Sequence, residues 1–338
     1  MKEWGKIMTV YLFTGITGQL GQAMCRYIFS KYPDSYIIGT TRNLNSEVAQ
    51  KMHSEYKNLV LTLVTSQDKP CIKRLVFLYR PDVIGNLGAQ SSVSSSFNTP
   101  YETYLDNTHL NAAMLESVRL AVKNMSSYSP TYFNISSSEI YGGTSVSDKE
   151  KTELSPISPL NIYGVSKASS HMLVDTYRSL YNLKCFNFVC TNFISEFQNE
   201  NFVMSKILSY VANIKKKREK LKLGNISSVR DWLYVDDVCS AVDTCIKNQS
   251  YNCFGNYNIS SYNEYPVLEL LKKAFLFENN RNYENYIDID VSNFRLIDTS
   301  FCRINSEKIR RLGWEPKYDI DSTLKIIIKA KQNANQCT

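Results

Sequence analysis

Ser137, Glu139, Tyr163 and Lys167 are the residues whose types and spacing most directly suggest chemistry. Tyr163 and Lys167 are four apart, so on a helix they share one face, a turn from each other. A lysine ammonium beside a phenol favours the phenolate and is expected to lower the phenol's pKa. Tyr163 would then accept a proton near neutral pH. Glu139 adds a second acid/base group. Oxidising an alcohol needs one base, and an elimination beside a carbonyl needs another. A Tyr-x3-Lys pair also occurs on ordinary helix surfaces, so the rest of the chain must decide.

The elements that would position these groups alternate along the 338 residues. Strands are expected at Met8–Phe13, Tyr36–Thr40, Leu59–Val64, Asp82–Leu87, Tyr132–Ser136, Cys185–Thr191 and Asn256–Ile259. Helices are expected at Gln19–Lys31, Pro70–Tyr79, Leu105–Met125, Ile162–Tyr181, Phe202–Lys216, Val235–Lys247, Pro266–Phe277 and Ser306–Leu312. This order predicts an α/β fold: a doubly wound parallel sheet of the Rossmann kind, with about seven strands. Ligands of such sheets bind beyond the carboxyl ends of the strands. Thr14, Leu87 and Ser137 each stand at the carboxyl end of an expected strand and should meet at one crevice. The expected division is 1–188 plus about 229–262 for the dinucleotide-binding domain. A smaller, interleaved substrate-binding lobe takes about 189–228 plus 263–338.

The first expected strand runs into Gly15-Ile16-Thr17-Gly18-Gln19-Leu20-Gly21. Glycines permit a tight turn and a close backbone approach to a pyrophosphate, and the following helix offers its N–H groups to that anion. The second strand ends at Thr40-Thr41-Arg42. No Asp or Glu stands there to bind a ribose 2′-hydroxyl, whereas Arg42 suits a 2′-phosphate. NADP is therefore expected, with NAD left open.

Bulk properties exclude several classes. The net charge is +7, with a local excess at Lys215-Lys216-Lys217-Arg218, Lys220 and Lys222. No aromatic array accompanies that run, so it reads as a solvated helix end and not a nucleic-acid surface. Nine cysteines, an odd number without a Cys-x2-Cys pair, and three scattered histidines give no metal site. Cys185 and Cys190 read as reduced core residues. No apolar stretch is long enough to span a bilayer, and the N-terminus does not read as a signal peptide, so a cytoplasmic protein is expected.

Taken together, the glycine turn, Asn86-Leu87-Gly88-Ala89-Gln90, Ser137 and Tyr163-x3-Lys167 resemble the extended short-chain dehydrogenase/reductase family. Within it the chain is most similar to the GDP-mannose 4,6-dehydratase group. Further matching stretches are Gly88-Ala89-Gln90-Ser91, Ser138-Glu139-Ile140-Tyr141-Gly142, Phe202-Val203-Met204-Ser205-Lys206-Ile207, Leu223-Gly224-Asn225, Arg230-Asp231-Trp232 and Leu312-Gly313-Trp314-Glu315-Pro316. The resemblance implies a nucleotide-sugar 4,6-dehydratase, a lyase. Tyr163 takes the proton of the sugar C4 hydroxyl while hydride leaves C4 for the nicotinamide. Lys167 tunes Tyr163 and holds the nicotinamide ribose, and Ser137 bonds the C4 oxygen. Glu139 takes the C5 proton and gives it to the departing C6 hydroxyl, and hydride returns to C6. It also implies cofactor contacts at Gly15, Thr17, Gly18, Gln19, Leu20, Gly21, Arg42, Leu87, Ala89, Tyr163 and Lys167. Substrate contacts are implied at Ser91, Asn192, Val203, Lys206, Arg230 and Arg295. The implied partners are a GDP-sugar and further copies of the chain, as a homodimer or homotetramer.

Departures from the family pattern leave alternatives open. Ser137 stands for the usual Thr, Asn43 for the second Arg of an Arg-Arg pair, and Thr65 for an Asp near the adenine. Phe197-Gln198 replaces another Arg-Arg pair, Leu296 a Pro and Leu110 a Gly. The sugar is therefore left open between mannose, a GDP-linked heptose and an amino sugar. A GDP-sugar C4 oxidoreductase or epimerase of the same fold would skip elimination and not need Glu139. A non-catalytic nucleotide-binding protein would not need Tyr163 and Lys167.

Overall fold

The computed structural model describes residues 8–65, 68–143, 150–248, 253–279, 282–290 and 301–334. In chain order the first part runs β1 (Val10–Thr14), α1 (Gln19–Lys31), β2 (Tyr36–Thr41), α2 (Glu47–Glu55), β3 (Leu59–Leu63), α3 (Lys69–Tyr79) and β4 (Val83–Asn86). Next come α4 (Val93–Asn98), α5 (Pro100–Asn124), β5 (Thr131–Ser137), α6 (Ile162–Tyr181) and β6 (Lys184–Cys190). The remainder is β7 (Asn192–Ile194), α7 (Val203–Ala212), β8 (Leu221–Leu223), β9 (Val229–Tyr234), α8 (Val235–Lys247), β10 (Asn256–Ile259), β11 (Glu264–Pro266), α9 (Val267–Phe277), β12 (Ile287–Ile289), α10 (Glu307–Arg310) and α11 (Ile320–Ala334).

Seven strands form one parallel sheet in the order β10-β6-β5-β4-β1-β2-β3. The chain winds outward from β1 in one direction and from β4 in the other. The crevice between β1 and β4 is therefore the switch point, where α/β sheets bind ligands. Both faces of the sheet are buried, and successive residues serve opposite cores. Tyr11, Phe13, Phe133 and Phe186 point to one core, and Leu12, Ile84, Tyr132 and Cys185 to the other. Each fully buried aromatic of this kind contributes roughly 1.5–3 kcal/mol.

The second part adds a three-stranded sheet, β11-β9-β7, and the pair β12-β8. Helices α7, α9 and α11 pack on one another there, and their apolar residues, among them Leu208, Leu271 and Ile327, join the first core without a break. Among the described residues no helix is long and apolar enough to cross a membrane, and no group of His, Cys, Asp or Glu could hold a metal. Lys215, Lys216, Lys217, Arg218 and Lys220 are all exposed beyond α7.

One polar feature crosses the apolar sheet. Thr14, Asn86, Asn134, Asn187 and Asn256 lie side by side in register on five neighbouring strands. Thr14 Oγ1 bonds Asn86 Oδ1 at 2.9 Å, Asn86 Nδ2 donates to Asn134 Oδ1 at 3.1 Å, and Asn134 Nδ2 donates to Asn187 Oδ1 at 3.0 Å. Asn187 Nδ2 reaches Asn256 Oδ1 at 3.2 Å, and Asn256 Nδ2 ends the row on Asp175 Oδ2 at 3.0 Å. Both ends fix the direction. Thr14 Oγ1 already accepts from the N–H groups of Leu87 and Gly88, so it donates to Asn86. An ionised Asp175 can only accept. On α6, burial holds His171 below the usual imidazole range, against the pull of Asp175.

Candidate active site

A cleft of about 690 Å³ lies beyond the carboxyl ends of β1, β4, β5 and β6. Its wall includes Gly18, Gln19, Leu20, Leu87, Ala89, Ser91, Ser137, Glu139, Tyr163, Lys167, Asn192, Val203, Lys206 and Arg230. Residues expected to act together from sequence thus meet in one space. Gly15, Thr17 and Gly21 build the turn behind it. Arg42 directly follows β2 away from the cleft wall, is 78% exposed, and has Asp106 Oδ2 at 3.6 Å. Arg295 and Leu296 lie outside the described residues.

The turn after β1 fits a dinucleotide. Gly15 has φ +62°, and a Cβ there would stand 2.5 Å from the Cα of Gly88. A Cβ on Gly21 would stand 2.4 Å from the Ile16 carbonyl oxygen, so α1 can rest on the turn only without a side chain. Helix α1 begins at Gly18 with no side-chain cap and no acidic residue in its first turn. Its N-terminal N–H groups therefore stay available to an anion. Thr17 Oγ1 and Thr41 Oγ1 are 3.1 Å apart, tying the turn to the end of β2.

Ser137 ends β5, and the chain then turns through one 3₁₀ helix, Ser138–Tyr141, which carries Glu139. Helix α6 starts at an Asn161 cap, whose Oδ1 accepts from Gly164 N at 2.8 Å. Tyr163 and Lys167 follow on its inner face, 8% and 7% exposed. Asn161 Nδ2 donates to Glu139 Oε2 at 2.8 Å. A Cβ on Gly164 would lie 2.8 Å from the Glu139 carbonyl oxygen, so the two segments touch backbone to backbone.

The expected lowering of the Tyr163 pKa is not what the structure gives. Burial raises the phenol above its usual range; a hydrogen bond with Ser137 opposes the rise, and the charge of Glu139 adds to it. Lys167 is occupied elsewhere. Its Nζ donates to the Ile135 carbonyl at 2.9 Å and lies 5.9 Å from the centre of the Tyr163 ring. Burial pushes Lys167 itself down to about 8, with Cys190 opposing. Helical spacing placed the ammonium near the phenol. Spacing does not report that a β5 carbonyl takes its hydrogen bond first.

Towards the other end, Lys206 Nζ donates to the Lys222 carbonyl at 2.8 Å, and Arg230 Nη1 to the Val229 carbonyl at 2.6 Å. Behind Glu139 a small hollow is bounded by Arg230, Asp231 and Cys302, among others. Asp231 is buried but satisfied by Ser260 Oγ at 2.5 Å and Ser261 Oγ at 2.6 Å. The sequence reading missed Asn161, Cys190 and Lys222 in this region. Only Asn161 left a signal, as an Asn just before a helical run.

The model of the family described as GDP-mannose 4,6 dehydratase matches residues 12–327. The chain belongs to the GDP-mannose 4,6-dehydratase family. Among the dehydratases similar to it, GDP-mannose 4,6 dehydratase 2 of Arabidopsis thaliana is 28% identical, covering 94% of this chain and 86% of its own length. The Homo sapiens GDP-mannose 4,6 dehydratase is 27% identical, covering 97% and 92%. The solved dTDP-glucose 4,6-dehydratase of Bacillus anthracis, in complex with NAD, superposes with a TM-score of 0.81 at 24% identity, covering 97% of this chain and 98% of that one. A UDP-glucose 4-epimerase of Thermotoga maritima gives 0.81 at 20% identity, covering 98% and 100%. At these identities the solved structures bear on the fold alone.

Proposed function

We propose that the protein is a GDP-sugar 4,6-dehydratase, converting GDP-mannose or a related GDP-hexose or heptose to its 4-keto-6-deoxy form. Family membership supports the reaction class. The observation that carries the residue roles is a carboxylate, Glu139, in one cleft with Tyr163 and Lys167. Loss of water across C5 and C6 needs a base that C4 oxidation alone does not.

A nicotinamide dinucleotide held against the glycine turn supplies the hydride acceptor and donor. Tyr163 Oη takes the proton of the C4 hydroxyl. Because burial holds the phenol high, this step draws on the Ser137 hydrogen bond, and Lys167 would hold the nicotinamide ribose beside it. The new C4 carbonyl acidifies C5–H. Glu139 takes that proton as a carboxylate and gives it to the departing C6 oxygen as a carboxylic acid, which releases water and restores the carboxylate. The hydride taken from C4 would then return to C6, and a proton from solvent, which Glu139 is placed to relay, would return to C5. Lys206 and Arg230 offer charge-assisted hydrogen bonds to the diphosphate, and Asn192, Ser91 and Val203 line its path. Arg42, with no acid at the end of β2, supports NADP over NAD. Residues 1–188 with about 229–262 form the cofactor part, and about 189–228 with 263–338 the sugar-nucleotide part. A cytoplasmic homodimer or homotetramer follows from family analogy.

The test is Glu139→Gln with GDP-mannose as substrate. The variant is expected to reduce bound cofactor yet release no 4-keto-6-deoxy product. Product formation at the native rate would remove Glu139 from the mechanism.

A further inference from the structure

We infer that Asn161 is a positioning residue that decides which oxygen of Glu139 carries the proton during elimination. The inference rests on the reading of Glu139 as the C5 base.

The Asn161 amide has its two halves committed. Its carbonyl caps α6 through Gly164 N at 2.8 Å, so its NH2 group is the half that faces Glu139, at 2.8 Å from Oε2. A cap must accept, and only the carbonyl oxygen of an amide accepts. The amide cannot turn over without losing the cap and setting an oxygen against a carboxylate. Asn161 is 7% exposed, so water does not offer an easy substitute. No other side-chain hydrogen bond to the Glu139 carboxylate is found among the described residues.

An amide N–H can donate but not accept. Asn161 Nδ2 takes one of the two lone pairs of Oε2 and makes that oxygen the weaker base, so when Glu139 takes the C5 proton it is the oxygen without a donor, Oε1, that receives it. When the proton leaves for the C6 oxygen, the carboxylate returns and the Asn161 bond is unchanged. Asn161 gains and loses no proton itself. Its contribution is to make one oxygen the weaker base and to tie the carboxylate to the helix that carries Tyr163 and Lys167. The two bases then keep a fixed separation through both halves of the reaction.

Two variants separate this role from the cap. Asn161→Ser keeps a good N-cap and removes the reach to Oε2. Asn161→Asp keeps the cap and the size but sets a carboxylate against a carboxylate. Both are compared with the native protein and Glu139→Gln in GDP-mannose turnover. The readouts are the absorbance of reduced nicotinamide, deuterium uptake at C5 from heavy water, and the unfolding midpoint. In Asn161→Ser, C4 oxidation is expected to persist while elimination falls about tenfold to a hundredfold, the worth of a hydrogen bond to a charged group. Reduced cofactor then accumulates during turnover. In Asn161→Asp the loss is larger, and elimination recovers as the pH falls, because the introduced carboxyl regains a proton to donate. Equal slowing of oxidation and elimination, or loss of stability with native elimination, overturns the inference. If Glu139→Gln dehydrates normally, the base assignment itself fails. If Glu139→Gln stops elimination and the Asn161 variants do not, only the positioning role fails.

Discussion

The asparagine row and the cleft are two buried polar regions built on the same strands. Strand β5 carries Asn134 in the row and, three residues later, Ser137 in the cleft. In the row, Asn134 both accepts and donates, and the direction is set from both ends by Thr14 and Asp175. In the cleft, Lys167 spends its charge on one carbonyl and Glu139 accepts from one amide. Amides paired along the row hold strand register and spend their bonds on protein partners. Incompletely paired groups are costly to bury, and that cost keeps them available to a substrate. Placing the complete row directly below the incomplete layer lets the sheet stay rigid where the chemistry needs fixed distances.

The sharpest way to break this contrast is to remove one group from the cleft. Tyr163→Phe deletes the proposed proton acceptor and keeps the ring. Turnover is expected to fall by a factor of about 10²–10⁴, the range for losing a general base. The urea midpoint should stay close to native, since the phenol contributes little to the fold. A large loss of stability would show that the phenol belongs with the structural amides.

The opposite outcome is expected in the row. Asn134→Ala leaves an amide hydrogen of Asn86 and the Oδ1 of Asn187 without their partner, and opens a small cavity. Two such buried groups cost about 2–4 kcal/mol together, read as a lower urea midpoint. Activity per folded molecule should remain near native at low temperature. A variant of native stability but no activity would reverse the two roles.

Lys167 tests the cost of an incompletely paired group. Its pKa is about 8 when folded against 10.5 in its ordinary state. Between those values the unfolded chain binds a proton that the folded one does not, so this residue makes stability rise with pH through that window. Below pH 8 its burial penalty is complete. Lys167→Met removes the penalty and should be more stable than the native protein, by up to about 3 kcal/mol at neutral pH. The gap should close as the pH passes 10.5, while activity is lost throughout. Urea unfolding of both proteins across the window measures it, and a gap independent of pH would contradict it.

Much of the scaffold was legible in the sequence. All seven strands of the main sheet were expected, and the bounds of α1, α6 and α8 agree with their apolar periodicity. Helix α5 begins five residues before the expected Leu105, because Pro100 can occupy a first turn where its missing N–H costs nothing. Helix α11 was missed although Ile320, Leu324, Ile327 and Ile328 recur at helical spacing. Strands β7, β8, β11 and β12 have three residues each, too few for a period of two to stand out. The row was hidden for another reason. Asparagine is uncommon in strands, and four of them become a unit only once strand order and register are known. In the site, type and spacing were enough to pick out the glycine turn and the four side chains that line one cleft, Ser137, Glu139, Tyr163 and Lys167. The direction of the Tyr163 shift could not, because it depends on the burial of the phenol and on Ile135 claiming Lys167.

Arg42 gives the smallest expected effect, and exposure is the reason. It belongs to neither region: it stands in solvent at the end of β2, with Asp106 Oδ2 at 3.6 Å. Solvent screens such a charge, and the contact with Asp106 contributes at most a fraction of a kcal/mol. On the proposed preference for NADP, its value for cofactor choice would come from a 2′-phosphate itself, through a charge-assisted bond made on binding. Arg42→Glu removes that bond and introduces repulsion, while offering an acceptor to a free 2′-hydroxyl. The ratio of NADP to NAD affinity is expected to fall about tenfold to a hundredfold, with the unfolding midpoint unchanged. Titration of both cofactors against native and variant protein measures the ratio. If it does not move, the end of β2 does not read the 2′ position, and the basis for preferring NADP is lost.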